Sequence, residues 1–212
     1  MRIPPWLRVK LPCSPTYAAT GALVRDMELH TVCRSARCPN IFECYSRKTA
    51  TFLILGDTCT RGCAFCNIGN GAVREPDPDE PARVGRATAA LGLRHAVVTS
   101  VTRDDLPDGG AAHFAATIEA IRRSNRPCPT IEVLIPDFRG DEAALRTVMA
   151  AGPHIINHNV ETPPAHYARI RPQADYAQSL ELLRRVSDRD DLNTLCSGFA
   201  MAVLLERGEA DE

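Results

Sequence analysis

Thr51-Phe52-Leu53-Ile54-Leu55-Gly56 runs, after two intervening residues, into Cys59-Thr60-Arg61-Gly62-Cys63-Ala64-Phe65-Cys66. The first six residues are a short apolar run of the kind buried in a parallel sheet. The cysteines therefore lie on the loop at the carboxyl end of that strand, where α/β folds place their chemistry. Three thiols at spacings of four and three residues suit three corners of a four-iron cluster and leave one iron open to hold a small molecule. Three unrelated buried thiols are the bland alternative, and their clustering weighs against it.

Upstream lies a second group, Cys33-Arg34-Ser35-Ala36-Arg37-Cys38-Pro39-Asn40-Ile41-Phe42-Glu43-Cys44, with spacings of five and six. Pro39 and Asn40 predict a turn-rich loop rather than a helix. Structural zinc sites more often use Cys-x-x-Cys pairs and close at four ligands. Three cysteines with a distant fourth ligand suit an iron–sulfur cluster at least as well. Further upstream, Pro4, Pro5, Pro12 and Pro15 mark an irregular start. A helix is expected from Tyr17 to about Leu29, with Thr16 as its cap. Residues 1–48 thus read as an arm carrying a cluster loop, with Cys13 structural or incidental.

Downstream the pattern is regular. Strands are expected at 50–56, 96–101, 130–135 and 154–160. Helices are expected at 79–91, 112–123, 141–151 (capped by Asp141), 164–169 and 175–186. Four β–α units joined by right-handed crossovers make parallel strands with helices outside. They are too few for a closed eight-stranded barrel. The expected fold is α/β: an open partial (β/α) barrel over 49–212, with the N-terminal cysteine-containing arm attached. The segment 191–212 reads either as a fifth strand or as a terminal helix, ending in a polar tail.

Composition narrows the function. With 25 basic and 26 acidic residues the net charge is −1, so neither nucleic acid nor an anionic membrane is suggested as a partner. No apolar run is long enough to span a bilayer. The start, Met1-Arg2-Ile3-Pro4-Pro5-Trp6, lacks the apolar core of a signal peptide. Of nine cysteines, six fall between Cys33 and Cys66. With no export signal, such clustering points to metal binding in a reducing compartment, and a cytoplasmic location is expected.

Both cysteine groups together resemble the lipoyl synthase family of the radical S-adenosylmethionine (SAM) superfamily. Cys59, Cys63 and Cys66 resemble the superfamily's Cys-x3-Cys-x2-Cys signature. Cys33, Cys38 and Cys44 resemble the family's Cys-x4-Cys-x5-Cys signature for an auxiliary cluster. The likeness continues through 49–57, 99–106, 131–138 and 158–162, and covers about 28–186. It implies a sulfurtransferase with two [4Fe–4S] clusters. The first binds SAM, whose reductive cleavage gives a 5′-deoxyadenosyl radical. The radical takes hydrogens from carbons 6 and 8 of a protein-bound octanoyl chain, and the auxiliary cluster supplies the sulfur. Such C–H bonds offer no acidic proton, so no general acid–base residue is expected to carry the chemistry. The implied partners are an octanoylated lipoyl carrier domain or glycine cleavage H protein, and an electron donor such as ferredoxin or flavodoxin.

Several other residues follow. By resemblance, Phe65 stands beside the adenine, or it shields the cluster. Asn159 and Glu161, at the mouth of the barrel, are candidates for SAM's ribose or methionine, or for a loop hydrogen-bond network. Arg171 is a candidate active-site contact or a surface ion pair. Asp104 and Asp105 suit SAM, substrate or a turn. His154 and His158 read as packing or hydrogen-bonding residues, Cys128 and Cys196 as structural thiols, and Arg122, Arg123 and Arg126 as a solvated helix end. The family's fourth auxiliary ligand is a serine in an Arg-Ser-Ser-Tyr segment, and no such segment occurs here. Its Thr-Lys-Ser-Gly stretch is matched only by Leu195-Cys196-Ser197-Gly198. The expectation is a chain truncated or diverged at its C-terminus. The alternative is an inactive or partly active iron–sulfur-binding remnant lacking the serine ligand.

Overall fold

The chain was analysed as a computed structural model that describes residues 14–188. Its elements in order are helix α1 (Pro15–Asp26), strand β1 (His30–Thr31), helices α2 (Val32–Ser35) and α3 (Ile41–Ser46), and strands β2 (Thr51–Ile54), β3 (Thr58–Cys59) and β4 (Gly69–Asn70). Then α4 (Glu80–Leu91), β5 (His95–Ser100), α5 (Ala111–Ser124), β6 (Thr130–Leu134), α6 (Glu142–Ala150), β7 (Ile155–Asn157), α7 (Tyr167–Ile170) and α8 (Tyr176–Ser187) follow. The main sheet runs β1-β2-β5-β6-β7, with β2 to β7 parallel and β1 antiparallel at the edge. A mostly parallel sheet with crossover helices is the expected partial barrel.

Register divides the sheet into two faces. Phe52, Val98, Val133 and Ile156 stand side by side and are all buried, against the layer that includes Val84, Phe114, Ile118 and Val148 of the helices. One residue further along, Leu53, Thr99, Leu134 and Asn157 form the opposite row. Because side chains alternate along a strand, one row builds the core and the other faces the barrel interior.

The arm departs from expectation. Residues 31–48 carry two short helices rather than a continuous loop, with the turn of Pro39 and Asn40 between them. Helices of four and six residues are not stable alone; burial holds them. Tyr45 is buried, its hydroxyl 2.8 Å from Thr31 Oγ1, and Phe42 stacks on Tyr17 at 5.3 Å. Ser14, not Thr16, caps α1, accepting from Tyr17 N. That helix stops at Asp26, because Glu28 turns into the left-handed region at φ 51°. The strand expected over 154–160 shrinks to Ile155–Asn157, because His158 turns into the core and its Nδ1 meets Ile135 O. The expectations for Cys13, Cys196 and segment 191–212 lie outside the described residues.

One strained residue turns the chain from β2 toward the cysteine loop. Leu55 has φ 67°, costly for a side chain branched and bulky. Its N–H donates to the buried Glu80 carboxylate at 2.8 Å, and its carbonyl accepts from Arg103 at 3.3 Å. Gly110, itself at φ 91°, leaves room for Leu55; a Cβ there would overlap Leu55 Cδ1. Gly110→Ala is therefore expected to lower stability by about 1–3 kcal/mol, read as a reduced urea midpoint at unchanged slope.

Candidate functional site

The cysteine loop leaves the sheet through β3, which pairs with β4 so that Cys59 stands opposite Asn70. Backbone donors then surround its sulfurs. Thr102 N and Arg61 N point at Cys59 Sγ from 3.3 and 3.4 Å, and Ile68 N at Cys66 Sγ from 3.4 Å. Thr60 ties the loop to the end of β5: its N–H and its hydroxyl both donate to Thr102 O, at 3.1 and 2.9 Å. On the far side, Gln173 Oε1 accepts from Gly62 N at 2.8 Å and Ile170 O from Ala64 N at 2.9 Å. A Cβ at Gly62 would meet Asn70 Nδ2 at 2.5 Å, so a larger residue there would displace that side chain.

Arg61 provides the strongest anchor. Its guanidinium, 4% exposed, pairs with Asp104 at 2.6 Å and with the fully buried Asp137 at 2.7 Å. The Asp137 pair uses both ends of each group, the planar fork geometry that only arginine offers a carboxylate. Burial pushes the Asp137 carboxyl up, but Arg61 and the Arg139 N–H outweigh it and hold the group below the ordinary carboxylate range. Burial likewise works against the Arg61 charge, and the two aspartates overcome it, so the guanidinium stays charged. Asp104 and Asp105, expected at a ligand or a turn, stand in a turn after β5, and each is engaged by an arginine: Asp105 lies 2.7 Å from Arg103.

Beneath the loop is a cavity of about 250 Å³. Cys59, Cys63, Phe65 and Cys66 form one wall, and Asn159, Glu161 and Arg171 another. Leu53, Thr99 and Leu134 supply the apolar floor from the inner row of the sheet. Val32 and Ala36, flanking Cys33, close the side toward the arm. The four site residues expected from sequence, Phe65, Asn159, Glu161 and Arg171, thus meet around one space with the loop thiols. Arg171 is not a surface ion pair: it donates to Asn159 O at 2.8 Å and to the Tyr167 hydroxyl at 3.0 Å. Glu161 has φ 72°, the kind of backbone strain that gathers at functional sites. Burial raises its carboxyl above the usual range, against Asn159 and Arg171.

The donors suit iron–sulfur chemistry. Cys59, Cys63 and Cys66 border one cavity, and Cys63 feels the other two thiols. Two polar atoms of residues that line the cavity, Ser100 Oγ and Arg171 Nε, are buried without a partner. Burial raises the Cys63 thiol, with Arg171 pulling the other way. In the arm, burial raises Cys33 and Cys44, and each also feels Cys38. Loading either group therefore means proton release. The segments that carry the two groups touch where Asn67, next to Cys66, donates to Ala36 O at 3.4 Å.

Other expected residues play local parts. His154 Nδ1 accepts from Ile131 N, and the buried His158 bridges Ile135 O and Ser179. Cys128 is exposed rather than structural. Arg122 caps carbonyls of Ala151 and Gly152. Sequence reasoning missed Arg61, Asp137, Gln173 and Ser100. The available signal was an arginine inside the cysteine loop, with acids placed at two strand ends.

The chain is 75% identical over 186 residues to the lipoyl synthase of Nitratidesulfovibrio vulgaris, covering 88% of this chain and 62% of that protein. It is 50% identical over its whole length to the lipoyl synthase of Caldanaerobacter subterraneus subsp. tengcongensis, covering 72% of that protein. The chain belongs to the lipoyl synthase family. The model of the N-terminal domain of lipoyl synthase matches residues 1–38, and that of the radical SAM superfamily residues 53–204. Among solved structures, the cobalamin-dependent SAM radical enzyme OxsB shares the fold at TM-score 0.51 and 16% identity, over 76% of this chain and 25% of that one. The chain spans about 62% of the length of the first lipoyl synthases it matches. Membership of the superfamily brings SAM and [4Fe–4S] chemistry with it.

Because its carboxyl is held low, Asp137 adds stability that is complete above its unfolded value of about 3.9 and fades as pH falls through the folded one. Asp137→Ala, which strands a buried guanidinium, is expected to cost about 3–5 kcal/mol near neutral pH. Urea unfolding at descending pH should show the gap to the parent narrowing below about pH 4.

Proposed function

We propose that this chain carries the catalytic framework of a lipoyl synthase, which inserts two sulfur atoms at carbons 6 and 8 of protein-bound octanoyl groups. The observation that carries this reading is the single cavity bounded by the loop of Cys59, Cys63 and Cys66 on one side and by the arm helix of Cys33 on the other. A substrate chain lying there would meet the loop thiols directly and, at Val32 and Ala36, the arm that carries Cys33, the approach that a reaction joining hydrogen removal to sulfur delivery requires. A 186-residue match within 212 residues necessarily spans both groups, so both lie in the part of the chain that resembles lipoyl synthases, and nothing in the match favours the remnant reading.

In this reading Cys59, Cys63 and Cys66 hold one [4Fe–4S] cluster and Cys33, Cys38 and Cys44 the other, with residues 1–48 as the presenting arm and 49–212 as the barrel. When bound, the loop cluster and SAM supply the radical chemistry. The chain's own residues position and shield. Phe65 covers the cavity beside the thiols. Asn159, Glu161 and Arg171 take SAM's polar groups, Glu161 from its strained turn. Leu53, Thr99 and Leu134 line the space for an apolar chain and help exclude water. The substrate arrives on an octanoylated lipoyl carrier domain or glycine cleavage H protein, and electrons from ferredoxin or flavodoxin. Two groups of free thiols suit the reducing cytoplasm. No helix among the described residues is long and apolar enough to cross a membrane.

The deciding experiment is anaerobic reconstitution, followed by SAM, a reductant and an octanoylated peptide, with mass spectrometry of the peptide. Two four-iron clusters, methionine release and addition of two sulfurs are the expected outcome. Colourless protein with stoichiometric zinc would sink the cluster assignment. Arg171→Ala is expected to raise the SAM concentration for half-maximal cleavage at least tenfold, the loss of about 1.4 kcal/mol or more expected of a charge-assisted contact.

A further inference from the structure

Arg61 is the sole charged residue between Cys59 and Cys66, and the protein surrounds it with more charge than anchoring needs. Asp137, from the end of β6, already satisfies one edge of the guanidinium with bonds of 2.7 and 2.8 Å. Asp104, from the end of β5, takes the other edge at 2.6 and 2.8 Å. One guanidinium and two carboxylates leave a net negative charge, with Asp137 0% and Asp104 25% exposed. The backbone of the same loop and strand end reaches the sulfur. Arg61's own N–H points at Cys59 Sγ, beside the Thr102 N–H. Asp104 N donates to Thr60 Oγ1 at 3.1 Å, holding the residue between Cys59 and Arg61.

We propose that Arg61, Asp104 and Asp137 form a charge clamp that sets the electron affinity of the iron–sulfur group held by Cys59, Cys63 and Cys66, in addition to fixing the loop. This rests on the reading of those thiols as cluster ligands. The potential of such a group is governed by nearby charge, hydrogen bonds to its sulfurs and solvent access. The guanidinium and the N–H donors favour the reduced, more negative state. Each carboxylate opposes it, the buried Asp137 with little water to screen the effect and the quarter-exposed Asp104 with more. Asp104 and Asp137 thus lower the potential, while Arg61 raises it and keeps both carboxylates where they act. These are positioning residues: the side chains act on the site through charge and through the aim of the Cys59 donors.

The test compares the full chain with Asp104→Asn, Arg61→Gln and Arg61→Lys variants after anaerobic reconstitution. Iron and sulfide are counted. The midpoint of one-electron reduction is then read by electron paramagnetic resonance during a mediated dithionite titration, following the signal that changes when SAM is added. Asp104→Asn removes one negative charge and leaves the Arg61–Asp137 fork, so its midpoint is expected above the parent's at equal iron content. Arg61→Gln leaves two uncompensated carboxylates and is expected below it. Arg61→Lys keeps the charge and is expected to lie nearer the parent than Arg61→Gln does. Shifts of opposite sign are what loosening of the loop alone would not produce. An unchanged midpoint in Asp104→Asn, or shifts of the same sign in Asp104→Asn and Arg61→Gln, would overturn the inference. A parent chain that takes up no iron would instead overturn the ligand reading beneath it. Should Arg61→Gln fail to fold, Asp104→Asn against the parent decides alone.

Discussion

A loop that must present three sulfurs at fixed places has little structure of its own to hold them there. In this chain the Arg61 guanidinium, closed between Asp104 and Asp137, supplies what the loop lacks. The two carboxylates come from the ends of two neighbouring strands, so the loop is registered against the sheet rather than against itself. Burying an ion pair is costly, and is tolerated when the bonds around it are many and well directed. Four side-chain hydrogen bonds to one guanidinium meet that condition. Leu55 performs a related task one step earlier in the chain. Its strained turn is held by Glu80 and Arg103, so the loop leaves the sheet in one direction.

The sheet makes this arrangement possible by separating its two faces. The row of Phe52, Val98, Val133 and Ile156 is committed to the helices and contributes the cohesion. The neighbouring row is free to face the interior. There, three residues of modest size, Leu53, Thr99 and Leu134, leave a space rather than filling it. Function resides at the carboxyl ends, as expected of parallel sheets. Loops from four consecutive units bring the thiols, Asp104, Asp137, and the Asn159–Arg171 segment to one end.

The arm is integrated into the same construction. Strand β1 pairs with β2, with His30 opposite Leu53, so the chain carrying Cys33 begins beside the floor of the cavity. Tyr45, bonded to Thr31 and buried with Cys33, folds the rest of the arm back onto that edge. The arm that carries one cysteine group is thereby brought to the edge of the space bordered by the other, with Asn67 and Ala36 in contact between them.

Much of this was written locally. The alternation of apolar runs with amphipathic segments specified the parallel sheet and most of its helices, because those patterns have periods of their own. The clustered cysteines specified the iron–sulfur reading, because few other chemistries use three thiols at such spacing. Caps were legible too, as Asp141 shows at α6. What local sequence could not supply was anything that depends on distant partners. The short helices around Cys33 and Cys44 exist because Tyr45 is buried and Phe42 stacks on Tyr17 of α1. The brevity of the fourth parallel strand follows from the inward turn of His158. Arg61 looked like one charged loop residue among others until folding delivered Asp104 and Asp137, 43 and 76 residues away. The sequence determined which atoms this protein has available for its chemistry. The tertiary structure decided which of them meet, because charge, burial and strain act through space and only the fold sets those distances.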